Sequence, residues 1–210
     1  MVGATLITDG TSDVILLRIL EWLVVQLTPT EIEIRWADLR GLRARPVGLS
    51  QRLTAALELY PCQILFVHRD AEGQNPDLRY AEIQSANVTG RPHVCVVPVR
   101  MQEAWLLLDE VALRQAADRP SGTEALNLPD RARWERLADP KAALHSALRT
   151  ANGATGRRAR NFRPERAAHR LAELVTDWSP LRGLTAFQRL ETDTRAALVQ
   201  LGVIPDEAEA

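Results

Sequence analysis

The sequence has only two cysteines, Cys62 and Cys95, too few for a disulfide framework or a cysteine zinc cluster. Lysine is scarcer still: Lys141 is the one lysine among 26 basic residues, so no G-x-x-x-x-G-K-[ST] phosphate loop can be built. The first strand-to-helix turn, Asp9-Gly10-Thr11-Ser12-Asp13, also lacks the G-x-G-x-x-G dinucleotide fingerprint. Any ATP hydrolysis must therefore come from a partner. Long apolar runs are absent. The most apolar stretch, residues 14–27, is short and carries Arg18, Glu21 and Gln26, which excludes a membrane span. No signal-peptide pattern opens the chain, because a strand-like run starts at once and Asp9 interrupts it. The expected location is cytoplasmic.

What is present suits a folded chain. Over 210 residues, 46% are hydrophobic and 25% charged, enough for one sizeable core and too apolar for disorder. The net charge of −1 hides a segregation. Residues 149–170 hold seven arginines and one acid, Glu165, a local +6 that leaves −7 on the rest of the chain.

Residues 4–8 read as a buried strand, ended by Asp9-Gly10, with Thr11 or Ser12 placed to cap a helix over 13–27. Residues 31–36 alternate like a strand, 38–47 form an arginine-rich loop, and 49–59 a helix. Residues 63–67 are an interior strand, 77–87 a helix and 93–99 another strand, followed by a helix-like stretch over 101–109. This alternation over residues 1–110 predicts an α/β domain with a parallel sheet flanked by helices. Residues 111–210 read as a C-terminal helical subdomain, with helices near 110–117, 130–150, 164–177 and 183–201. Gly and Arg break the pattern at 152–163, and 206–210 form an acidic tail.

Parallel α/β sheets bind ligands at the carboxyl ends of their strands. Asp9 and Asp13 follow the first strand, and Asp70 and Glu72 follow the third. Singly, Asp9 reads as part of a turn and Asp13 as an acid favoured by a helix start. Jointly, two acidic pairs on one edge predict a site for a hard divalent cation, Mg²⁺ or Mn²⁺, whose charge offsets their repulsion. His68 reads as structural, and Arg69 as orienting a carboxylate or holding a phosphate. A possible nucleic-acid surface comes from Arg157, Arg158, Arg160 and Arg163 around Phe162, where guanidinium groups would meet phosphates and the ring would stack on a base. The alternative is a solvated loop paired with acids elsewhere. Arg40, Arg43 and Arg45 form a weaker basic patch. The five tryptophans, and Leu184, Leu190, Leu198 and Leu201, read as packing, some of it available to a second copy in a homo-oligomer.

Asp9-Gly10 with Asp13, Asp70-Ala71-Glu72 and the segment Glu103-Ala104-Trp105-Leu106-Leu107-Leu108-Asp109 resemble a Toprim domain. More narrowly, they are similar to bacterial Toprim-like proteins of phage-defence loci and to the Toprim part of OLD (overcoming lysogenization defect) nucleases. Asp139-Pro140-Lys141 and residues 186–190 share that likeness. The resemblance implies a metal-dependent nuclease acting on DNA in antiviral defence beside an ATPase partner, with Asp9, Asp13, Asp70 and Glu72 holding metal and Glu103 completing the catalytic set. Neither Tyr60 nor Tyr80 lies in a topoisomerase context. Two positions depart from the family pattern: Asp9 stands where glutamate is expected, and Glu72 where a second aspartate is expected. Each moves a carboxylate by one methylene, which sustains a second reading, a non-catalytic subunit that binds nucleic acid or a protein.

Overall fold

The computed structural model describes residues 2–86 and 90–206. Four strands, β1 (Val2–Ile7), β2 (Ile32–Trp36), β3 (Ile64–His68) and β4 (His93–Val96), form one all-parallel sheet in the order β2-β1-β3-β4. The helices are α1 (Leu16–Leu27), α2 (Gly48–Leu59), α3 (Pro76–Ala86), α4 (Glu110–Ala116), α5 (Pro140–Asn152), α6 (Gly156–Asn161), α7 (Pro164–Leu174) and α8 (Thr185–Gln200). The predicted α/β class with a parallel sheet is the one observed. Among the described residues, no helix is long and apolar enough to cross a membrane.

Strand period explains the two cores. Successive side chains point to opposite faces, so a central strand covered on both sides must be apolar throughout. Leu6, Ile64, Phe66, Val94 and Val96 enter a larger core shared with α1, α5, α7 and α8. Ile7, Leu65, Val67 and Cys95 enter a smaller one with Leu53 and Ala56 of α2 and Tyr80 and Ile83 of α3. Each fully buried aliphatic or phenyl group contributes roughly 1.5–3 kcal/mol. In the larger core, the Trp105 ring meets Phe187 edge-on at 5.8 Å, so the tryptophan of the Glu103–Asp109 segment is a packing residue. Among the described residues, strands stop before residue 110, yet the later helices share this core with the sheet.

Several boundaries differ from the sequence expectation. The helix after β1 opens as a 3-10 turn, Ser12–Ile15, and neither Thr11 nor Ser12 caps it: Ser12 donates to Asp13 instead. Residues 101–109 form a 3-10 turn, Gln102–Leu106, with Asp109 capping α4 by accepting from the Ala112 N–H at 3.0 Å. The stretch 130–150 divides into a 3-10 turn, Arg131–Arg136, and α5. The break at 152–163 contains α6. Expected ends at Asn87 and over 207–210 lie outside the described residues.

Asp139-Pro140 has a local explanation. Asp139 accepts from the Ala142 N–H at 2.8 Å, Pro140 sits in the first turn where no N–H is needed, and Gly153 closes α5 in the left-handed conformation. Asp139→Ala is expected to cost about 1 kcal/mol. For a chain of this size that lowers Tm by roughly 2–4 °C by calorimetry, and an unchanged Tm would remove the cap from the account.

Candidate functional site

Chain order reverses between β1 and β3, so their carboxyl ends flank the sheet's switch point, where α/β folds leave a crevice. His68 contacts Asp13 and Asp70 there, and Glu103 lies near enough to sense the charge of both acids. The 3-10 turn holds Asp13, 6% exposed, with Oδ2 accepting from the Gly10 N–H at 2.7 Å. Its Oδ1 accepts from Ser12 Oγ at 2.8 Å and from Gln102 Nε2 at 2.7 Å. Burial pushes the Asp13 carboxyl up, but His68, Ser12 and the Gly10 amide together hold it below its ordinary value.

His68 ends β3 and is 1% exposed. Its Nε2 lies 3.2 Å from Asp70 Oδ1, and its Nδ1 3.5 Å from Asp13 Oδ2. Burial alone would lower its pKa. The two carboxylates outweigh burial and raise it to about 9, so the ring is an imidazolium at neutral pH. A buried cation thus stands between the two acids.

Glu103 comes from the Gln102–Leu106 turn, is 5% exposed, and leaves Oε2 without a hydrogen-bond partner. Lys141 Nζ stands 3.8 Å from Oε1. Burial, with the negative charge of Asp70 and Asp13, raises its pKa against the pull of Lys141.

Asp9 and Glu72 are held differently. Asp9 accepts from Arg52 Nη1 at 3.1 Å and pairs with Arg69 Nε at 2.9 Å. Arg69 also grips Glu82 at 2.6 Å, so it is engaged within this network and lies apart from the arginines of α6. Arg79 pairs with Glu82 at 3.0 Å and donates to the Asp70 carbonyl at 3.1 Å. Glu72 has a left-handed backbone, φ +55°, as the loop after β3 bonds to residues 98–100, and its side chain is 66% exposed, 3.7 Å from Arg79. The Asp70-x-Glu72 spacing therefore turns Asp70 toward His68 and leaves Glu72 at the surface. Among the described residues, no three His, Cys, Asp or Glu side chains converge as a ready metal cage. The imidazolium already stands between Asp13 and Asp70. Beside Asp9 opens a pocket of about 250 Å³ whose lining includes Arg45 and Arg52.

The arginine segment lies elsewhere. Arg157, Arg158, Arg160 and Arg163 are exposed on and just after α6, while Phe162 is half-buried, packed against the larger core and lining the groove beside them. Glu165, Ala168 and His169 of α7 border a small cavity with Glu103, whereas Arg163, Arg166 and Arg170 line a groove on nearly the opposite face of that helix.

His68, Gln102, Arg52 and Arg79 are site residues to which the sequence reading gave no such role. His68 carried the one usable signal, an ionisable residue closing an apolar run directly before Arg69-Asp70. Comparison of the chain with protein-family models, with curated proteins and with solved structures gives no match.

Proposed function

We propose that this chain is a metal-dependent phosphodiester hydrolase acting on DNA. Glu103 carries the reading: a buried carboxylate with a partnerless oxygen, beside Asp13 and Asp70 at the switch point. An all-oxygen donor set suits Mg²⁺ or Mn²⁺. Asp13, Asp70 and Glu103 would hold the ion, joined by Asp9 on release from Arg52 and Arg69. Such an ion supplies an activated water and neutralises charge on the phosphate. The chain's own groups do the positioning. Gln102 and the Gly10 amide orient Asp13, and Arg45 and Arg52 offer guanidinium donors to a phosphate in the pocket beside Asp9. The resemblance adds the role, antiviral defence beside an ATPase partner protein.

The test is cleavage of supercoiled plasmid and single-stranded DNA in Mg²⁺, Mn²⁺ or EDTA, by wild type and Asp70→Ala. Nicking is expected in either metal, lost in EDTA, and reduced at least about a hundredfold by the substitution. Activity unchanged in Asp70→Ala would overturn the site. A second reading, a non-catalytic Toprim-like subunit, is favoured by the ion pairs of Asp9 with Arg52 and Arg69. Folded wild type that binds DNA and cuts in no metal, with or without its ATPase, would select it.

A further inference from the structure

On the face of α7 turned away from the acids, an open groove of about 800 Å³ runs between α4, α6 and α7. Five arginines line it, Arg119, Arg158, Arg163, Arg166 and Arg170, against one acid, Asp118. Arg119 pairs with Glu124 at 2.7 Å and Arg170 with Asp118. Among the described residues, Arg158, Arg163 and Arg166 make no ion pair with an acid, and Arg163 is steadied by donating to the Arg160 carbonyl at 2.8 Å. The three unpaired charges, from α6 and the start of α7, repel one another, an arrangement that a bound polyanion relieves.

We infer that this groove binds the phosphate backbone of a nucleic acid, as an anchoring site separate from the acidic centre. Length favours a chain of phosphates over a single one: Arg163 to Arg170 covers about 10 Å along α7, against one phosphate per about 3.4 Å of a DNA strand. Phe162, half-buried against the larger core, also lines the groove, so guanidinium groups dominate it around a single ring. With five arginines in the lining, binding is chiefly electrostatic and carries little base-sequence preference. Gly153 shapes the floor. Its φ is +60°, and a Cβ there would overlap the Arg119 guanidinium, which occupies the space a side chain would take. The glycine thus closes α5 and admits Arg119 to the groove.

The inference stands apart from the hydrolase reading, because binding is measured in EDTA, where no cleavage occurs. Fluorescence anisotropy of a short labelled duplex over a salt series is the experiment. The wild-type slope of log K against log salt is expected near −0.9 per phosphate contacted, about −3 to −4.5 for three to five contacts. The double variant Arg158→Glu, Arg166→Glu is expected to bind about tenfold more weakly or worse and to lose about two from that slope. Gly153→Ala, with every charge retained, is expected to lose up to about one. Circular dichroism checks that each variant is folded. Affinity and slope unchanged in the double variant would overturn the inference. So would displacement of the duplex by polyglutamate at equal charge concentration, which would assign the groove to acidic proteins.

Discussion

Glu103→Gln is expected to reduce metal-dependent cleavage at least about a hundredfold while leaving Tm unchanged or higher. The two effects share one cause. Glutamine keeps the shape of the side chain and removes a buried negative charge that faces Asp70 and Asp13. An acid whose pKa is raised on folding favours the fold while protonated, and that support falls as pH rises past its unfolded value. Once ionised, Glu103 therefore works against stability, and the amide ends that opposition. Lys141 loses its partner, but it is 44% exposed and returns to water at little cost. Calorimetry in EDTA and plasmid nicking in Mg²⁺, on the same preparations, separate the two quantities. As pH falls and wild-type Glu103 takes up its proton, the two melting curves should converge. Retained cleavage would remove Glu103 from the metal set. A Tm loss parallel to the activity loss would make it a structural residue.

The sheet was legible because burial on both faces forces continuous apolar runs. Residues 4–8 and 63–67 announce β1 and β3 to within about two residues, and their polar endings mark the crevice. The 3-10 turns and α6 were not legible, since such short segments are fixed by their neighbours more than by their own periodicity. At the site, Asp13 and Asp70 were readable because each directly follows a strand. The left-handed turn that leaves Glu72 at the surface was not, because nothing in Asp70-Ala71-Glu72-Gly73 forbids the inward alternative. The pairing of Asp9 with Arg52 spans 43 residues of chain, and spacing rules do not reach that far. The +6 segment was visible as charge, but its division across α7 required the helix to be placed. Arg163 and Arg166 line the groove, while the intervening Glu165 borders the Glu103 cavity. Consecutive residues thus serve two surfaces.

In metal-free protein, Tm is expected to fall steadily between about pH 6.5 and 9, by roughly 6–12 °C beyond the change in a His68→Gln variant. The folded protein binds the His68 proton with a pKa near 9, and the unfolded chain releases it near 6.5. Below pH 6.5 both states hold the proton, and the stabilisation by Asp13 and Asp70 is fully present. Between the two values only the folded state holds it, so stability declines with each unit of pH, and above 9 the contribution is gone. The gap corresponds to on the order of 3 kcal/mol, which sets the expected range for a chain of this length. The sign matters, because a neutral buried histidine would instead gain stability over the same interval. Cys95 confines the useful window. Burial pushes its thiol up to about 12 from an ordinary value of 9, so its own contribution declines only above pH 9. A calorimetric series in EDTA ending at pH 9 therefore isolates His68. Glutamine at position 68 keeps polar groups toward Asp13 and Asp70 but cannot carry the charge, so its curve should be nearly flat there and lie lowest relative to wild type at pH 6.5. Parallel curves for the two proteins would mean that no buried imidazolium bridges the carboxylates.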